Sequence, residues 1–208
     1  MQENKKGTKC IGIYGGSFDP IHFGHIALAK KAKAELSLSK IIFIPTKKQP
    51  FKLDKTPASC EDRVNMIRLA VKDNPDFSVS MLEIEREGIS YTFETLRSIR
   101  RLYGKDVSYY LILGADSFLD IERWHKADEI LSSCNLAVGI RPGTSIEKLD
   151  ITKERIQKQY QTNIIFLNNK ELEISSTQIK ECIKNNLSLG GLVSKEVLNY
   201  IDENNLYR

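Results

Sequence analysis

An apolar run, Cys10-Ile11-Gly12-Ile13-Tyr14, leads directly into the segment Gly16-Ser17-Phe18-Asp19-Pro20-Ile21-His22-Phe23-Gly24-His25, and a helix-like stretch from Ile26 to Leu36 follows without a break. This is the order strand, glycine-rich turn, helix. Backbone N–H groups in such a turn, together with the positive end of the helix dipole, form an anion site. His22 and His25 add donors that reach phosphate oxygens. The pattern predicts a phosphate-handling enzyme on an α/β scaffold.

The rest of the chain repeats the strand-then-helix alternation. Apolar, β-rich runs recur at Lys40 to Ile44, Phe77 to Met81, Val107 to Leu113, Asn135 to Ile140 and Asn163 to Leu167, with helix-like segments between them. Such alternation predicts a mainly parallel sheet covered by helices on both faces. Helix starts are marked by Ser59 with Asp62, Thr92 before Phe93 and Glu94, Ser175 with Gln178, and Ser194 ahead of Val197. Gly104 is placed to close the helix that begins near Thr92. The segment Ser145 to Gln161 carries charge at helical spacing and reads as a solvated helix. With 208 residues, 41% of them apolar, one domain spanning 1–208 is expected, its residues 175–208 forming a small C-terminal helical cap.

Thr46 to Pro57, rich in lysine, is the longest irregular stretch and is expected to be a substrate loop. The net charge of +4 is mild and its basic residues are scattered, which suits small anionic ligands better than nucleic acid. No apolar run approaches the ~18 residues needed to span a bilayer, and no signal-peptide core follows the charged start, so a cytoplasmic protein with no membrane partner is expected. Cys10, Cys60, Cys134 and Cys182 are widely separated and lack C-x-x-C pairing, which predicts buried, reduced thiols.

Two other chemistries fit the turn less well. His22 and His25, three apart, have metal-ligand spacing, but no thiol or carboxylate stands at ligand distance in the sequence, so no metal site is expected. Gly12, Gly15 and Gly16 do not match G-x-G-x-x-G, and Ile44 runs into Pro45 where a dinucleotide-binding dehydrogenase would carry an acidic residue.

The spacing from His22 to His25 resembles the H-x-G-H signature of the nucleotidyltransferase superfamily. Within it, Ser90-Tyr91-Thr92, Gly114-Ala115-Asp116-Ser117, Trp124, Arg141-Pro142-Gly143 and Ile174-Ser175-Ser176-Thr177 appear in the order found in bacterial nicotinate-nucleotide adenylyltransferases, from about Lys9 to Tyr207. A class I aminoacyl-tRNA synthetase would need a second lysine-rich signature and a tRNA-binding domain. Phosphopantetheine adenylyltransferases share the G-S-F-D-P start but lack the Ser90-Tyr91-Thr92 and Trp124 elements. A non-catalytic nucleotide-binding regulator would not need His22, Gly24 and His25 together.

The resemblance implies a Rossmann-like nucleotidyltransferase fold and adenylyl transfer from ATP to nicotinate mononucleotide, giving deamido-NAD and pyrophosphate. It implies that His22, His25 and Lys180 are catalytic, and that Gly15, Gly16, Ser17, Phe18, Gly114, Asp116, Arg141, Ser175, Ser176 and Thr177 join the two histidines around ATP. Lys48, Lys52, Ser90, Tyr91, Thr92 and Trp124 would hold the mononucleotide, with Trp124 stacked on the pyridine ring. Magnesium would be held mainly by phosphates. The partners are then the two small substrates, and a homo-oligomer is compatible with the sequence. Three positions depart from the family pattern: Lys180 replaces arginine, Gln49-Pro50-Phe51-Lys52 replaces Pro-Pro-His-Lys, and Glu94 replaces aspartate. Arg97, Arg100 and Arg101 read as an exposed helix face.

Overall fold

A computed structural model describes residues 9–47, 57–140, 143–168 and 174–208. The six apolar runs become six strands: β1 (Lys9–Gly16), β2 (Lys40–Pro45), β3 (Phe77–Val79), β4 (Val107–Gly114), β5 (Asn135–Ile140) and β6 (Ile164–Asn168). They pair in the order β3-β2-β1-β4-β5-β6, parallel throughout. Parallel neighbours cannot be joined by a tight turn, so each connection crosses over a face of the sheet. The crossovers carry α1 (Phe23–Glu35), α2 (Cys60–Val71), α3 (Thr92–Tyr103), α4 (Ala115–Leu119), α5 (Ala127–Ser133) and α6 (Ile146–Tyr160). Two further helices, α7 (Ser176–Lys184) and α8 (Lys195–Glu203), complete the chain.

Alternation along the strands divides the core into two layers. Tyr14, Phe43, Ile112, Ala137 and Leu167 pack with residues of α1, α2, α7 and α8. Ile11, Ile13, Ile42, Leu111, Leu136 and Val138 pack on the other face with α3, α4, α5 and α6. The helix on β5 needs a residue without a side chain beneath it: a Cβ on Gly139 would lie 2.7 Å from Leu28 of α1. α8 docks on α2 through Tyr200, whose hydroxyl donates to Asp62 (2.9 Å) and accepts from Asn65 (3.1 Å).

The expected helix starts hold. Ser59, Ser175 and Ser194 accept from the N–H groups of Asp62, Gln178 and Val197, and Gly104, at φ 95°, ends α3. β3 stops at Val79, short of Met81, because the chain turns inward there and buries Glu83. Among the cysteines only Cys134 is buried, and burial pushes its thiol up to about 12; Cys10, Cys60 and Cys182 form no disulfide and are half-buried. Among the described residues no helix is long and apolar enough to cross a membrane.

The strand order reverses between β1 and β4. Crossovers leave these two strands in opposite directions, which opens a crevice outside their carboxyl ends, the ligand site of open α/β sheets. Those ends are Gly15-Gly16 and Gly114.

Candidate active site

β1 delivers the turn into this crevice. A Cβ on Gly15 or on Gly114 would meet nothing within 4 Å, so both strand exits present bare backbone to open space. Phe18 turns the chain at φ 47°, an uncommon conformation for a non-glycine residue. It is held there by burial against Tyr14 and Phe43 (ring centroids 5.3 and 5.7 Å). Beneath the turn the fully buried Arg63 donates to the Ser17 carbonyl (2.7 Å), to the Ala58 carbonyl (3.2 Å) and to Cys60 Sγ (3.3 Å). A cation on the apolar face of α2 thus fixes the backbone of the turn that follows β1.

His22 caps α1 and His25 occupies its third position, and their rings stack at 3.7 Å. The His22 backbone N–H donates to His25 Nδ1 (3.3 Å). Because Nδ1 accepts, the neutral His25 ring carries its proton on Nε2 and acts there as a donor. Gly24 makes the pair possible: a Cβ would stand 3.0 Å from His22 Nδ1 and 3.1 Å from its Cε1.

α7 closes over the same turn. Ser176 Oγ donates to the Pro20 carbonyl (3.0 Å), while Ser175 Oγ is spent on the Gln178 N–H (3.1 Å) and Thr177 is exposed. One turn on, Lys180 forms an ion pair with Asp19, whose side chain is only 8% exposed. The other Asp19 oxygen accepts from the Ala58 N–H (3.1 Å) and the Tyr207 hydroxyl (2.7 Å). The Tyr207 ring lies 5.0 Å from the Lys180 ammonium, and burial, then Asp19, push its hydroxyl well above the usual phenol range. Lys180 therefore reaches the turn as a lysine anchored by a buried carboxylate.

At the other end of the crevice, α3 starts at Thr92 with Tyr91 as its cap, one residue earlier than Thr92 as the cap would place it. Glu94 and Thr95 N–H groups bond the Tyr91 carbonyl (3.1 and 3.3 Å), leaving those of Thr92 and Phe93 at the positive end of the helix. Ser90 is buried, and its hydroxyl accepts from the Lys47 N–H (3.3 Å) and bonds Glu83. Glu94, the departure from aspartate, reaches Arg86 (3.3 Å). Trp124 is half-buried at the end of a short 3-10 turn, Ile121–Arg123. The next residue, His125, brings its ring within 4.7 Å of Tyr91, so the Trp124 segment and the α3 start are neighbours. Asp116 is exposed in the first turn of α4, beside the β4 exit.

The structure thus gathers His22, His25, Ser176 and Lys180 about one turn and Tyr91, Thr92 and Trp124 about a second locus. Lys48, Lys52 and Arg141 lie outside the described residues. Arg100 is not on a purely exposed face, since it donates to the Ser133 carbonyl (2.8 Å) and ties α3 to α5. Sequence reasoning missed four residues that hold the site: Asp19 as the anchor of Lys180, and Arg63, Glu83 and Tyr207. For Arg63 a signal existed, because it sits three and four residues before Met66 and Ile67 on the apolar face of its helix.

The cytidylyltransferase-like family model matches residues 13–182. A probable nicotinate-nucleotide adenylyltransferase from Clostridium botulinum (strain Alaska E43 / Type E3) is 46% identical over 200 residues, 96% of this chain and 98% of the relative. One from Moorella thermoacetica is 39% identical over 198 residues, 95% and 91% of the two chains. Plasmodium falciparum nicotinic acid mononucleotide adenylyltransferase, solved in complex with NaAD, has the same fold at a TM-score of 0.77, with 21% identity over 96% of this chain and 97% of that one. A family model over most of the chain, and relatives of this identity along nearly all of it, establish that the chain belongs to the nicotinate-nucleotide adenylyltransferase family.

Proposed function

We infer that the chain transfers the adenylyl group of ATP to nicotinate mononucleotide, giving deamido-NAD and pyrophosphate in NAD biosynthesis. Family membership supports the reaction. The observation that carries the assignment of the site is the joining of α7 to the His22–His25 turn through Ser176 and Lys180, at the point where the strand order reverses. The whole chain then acts as one nucleotidyltransferase unit, with residues 175–208 as its helical cap.

A phosphate oxygen of the mononucleotide, ionised at neutral pH, attacks the α-phosphorus of ATP. The bond from that phosphorus to the bridging oxygen breaks, and the electron pair leaves on pyrophosphate. No covalent enzyme intermediate is needed, so catalysis consists of positioning and charge stabilisation. His25 donates from Nε2 to the phosphates, and His22, stacked beneath it, sets its orientation. Removing one such donor costs ~2.7–4 kcal/mol of transition-state stabilisation, roughly 100- to 1,000-fold in turnover. Lys180 adds positive charge that Asp19 keeps beside the turn. The bare backbone at Gly15 and Gly114 lets the nucleotide lie against the strand exits, and Asp116 meets ribose hydroxyls. Magnesium, when bound, would be held mainly by the triphosphate and would neutralise part of its charge. Among the described residues no three His, Cys, Asp or Glu side chains gather into a metal site, and Asp19 is filled by Lys180, Tyr207 and the Ala58 N–H.

The pyridine ring stacks on Trp124, and its carboxylate meets the N–H groups at the start of α3. Ser90 contributes by shaping the backbone, since its hydroxyl is engaged by Lys47 and Glu83. A carboxamide would turn an NH2 donor toward those donors. That mismatch costs about 1–3 kcal/mol, roughly ten- to hundredfold in kcat/KM. The test compares nicotinate mononucleotide with its amide under saturating ATP. A preference for the acid by at least tenfold is expected, and a preference for the amide overturns the assignment of the α3 start.

A further inference from the structure

The segment between β3 and α3 carries a buried group that the transfer reaction does not use. Glu83 is 6% exposed in an irregular stretch. Its carboxyl accepts from Thr95 Oγ1 of α3 (2.8 Å) and is hydrogen-bonded by the Ser90 and Thr46 side chains, with Arg86 nearby. Burial pushes this carboxyl above the usual range, opposed by those hydroxyls and, last, by Arg86. A buried acid of this kind is costly unless its partners surround it.

The partners come from different elements. Thr46 leaves the end of β2, where its N–H also bonds the Gly16 carbonyl (2.9 Å). Ser90 immediately precedes the α3 cap and accepts from the N–H of Lys47, the first lysine of the loop that follows β2. The Lys47 ammonium reaches the Arg86 carbonyl (2.9 Å), and the Arg86 guanidinium spans Glu94, Thr95 and Ser98 along α3. One carboxyl thus binds the β2 exit to the α3 start.

We propose that Glu83 is a positioning residue for the pyridine mononucleotide, acting through Thr46, Ser90 and Thr95 to lock the β2 exit and the α3 start into one unit. This rests on the reading that the α3 start receives the pyridine carboxylate. Glu83 touches neither substrate. Its loss lets the α3 start and the β2 exit shift independently, which weakens the mononucleotide complex. The Thr46 N–H bond to Gly16 is made by backbone and does not need Glu83, and Arg63 under Ser17 and Asp19 at Lys180 anchor the ATP side, which is spared.

The experiment measures KM for each substrate, kcat and Tm for the wild type, Glu83→Ala, Glu83→Gln and Thr46→Val. Glu83→Ala is expected to raise KM for nicotinate mononucleotide about tenfold, with KM for ATP changed less than twofold. Glu83→Gln, which keeps an acceptor for Thr95, should recover most of that loss. Thr46→Val removes one half-buried donor and reads the same signature at about threefold even where Glu83→Ala does not fold. A lowered Tm with both KM values unchanged reduces Glu83 to a stability role and overturns the proposal, as does an equal rise in both KM values. A wild type that makes no deamido-NAD, or that prefers the amide mononucleotide, defeats the underlying reading instead.

Discussion

Gly24→Ala perturbs the proposed catalytic pair without touching either ring's chemistry. The added Cβ would stand 3.0 Å from His22 Nδ1 and 3.1 Å from Cε1, with the Ile174 carbonyl at 3.6 Å. Ordinary contact begins at 3.4 Å, so the His22 ring must retreat by at least the missing few tenths of an ångström. It is 3% exposed and stacked at 3.7 Å on His25, so any retreat is passed to His25. A misplacement of ~1 Å in a reacting geometry costs roughly 100-fold. A shift of a few tenths of that then costs about three- to tenfold in kcat/KM, or ~0.7–1.4 kcal/mol. Stability should change little, because the up to ~1 kcal/mol that alanine gains over glycine in a helix offsets the strain on the His22 ring. Gly15→Ala is the control: its Cβ meets no protein atom within 4 Å and enters the ligand space, so KM for ATP rises while the histidines stay in place. Steady-state rates of pyrophosphate release and melting curves read both variants. Turnover within twofold of wild type in a folded Gly24→Ala protein refutes the claim that the stacked pair must be held in register.

Lys180→Ala should weaken ATP use by ~1.5–3 kcal/mol, the worth of a charged hydrogen bond, and lower Tm because Asp19 keeps only the Ala58 and Tyr207 donors; Lys180→Arg should restore both. An unchanged ATP saturation curve for the alanine variant places Lys180 in a purely structural role. Trp124→Ala should raise KM for the acid and the amide mononucleotide together, by the ~1–3 kcal/mol typical of ring stacking, leaving their ratio nearly fixed; a changed ratio assigns Trp124 to selectivity. The Glu83 carboxyl titrates higher in the folded chain than in the unfolded one, so between the two values the folded state binds more protons. Its contribution is full below the ordinary carboxylate range and is lost as pH rises through the folded value. Melting temperatures of Glu83→Gln minus wild type should therefore increase from pH 4 to pH 7, and a flat difference contradicts the raised titration.

What could be read from the sequence follows the range of each signal. The six strands and the caps at Ser59, Ser175 and Ser194 depend on neighbours within a few residues, and these the periodicity and side-chain types disclose. The His22–His25 turn is local too, and so is the stacking its spacing permits. The strand order is set by long-range burial, and the parallel class could be read while the neighbours of β1 could not. Asp19 meets Lys180 and Tyr207 across 161 and 188 positions, and no local pattern encodes such a meeting. Glu83 sits in a stretch without helix or strand, where polar residues ordinarily face water, so nothing nearby signals a buried carboxyl. The solvated reading of Ser145 to Gln161 holds for most of α6, while Leu149, Thr152 and Ile156 form its inner stripe.

The central claim is a single in-line adenylyl transfer between two bound substrates, and labelled ATP follows its atoms. With nicotinate mononucleotide present, label at the α-phosphorus should appear in deamido-NAD and label at the β- and γ-phosphorus in pyrophosphate, one for one, with none retained on the protein. Label from the α-phosphorus in free AMP or on a side chain, or no release of pyrophosphate when both substrates are present, contradicts the account.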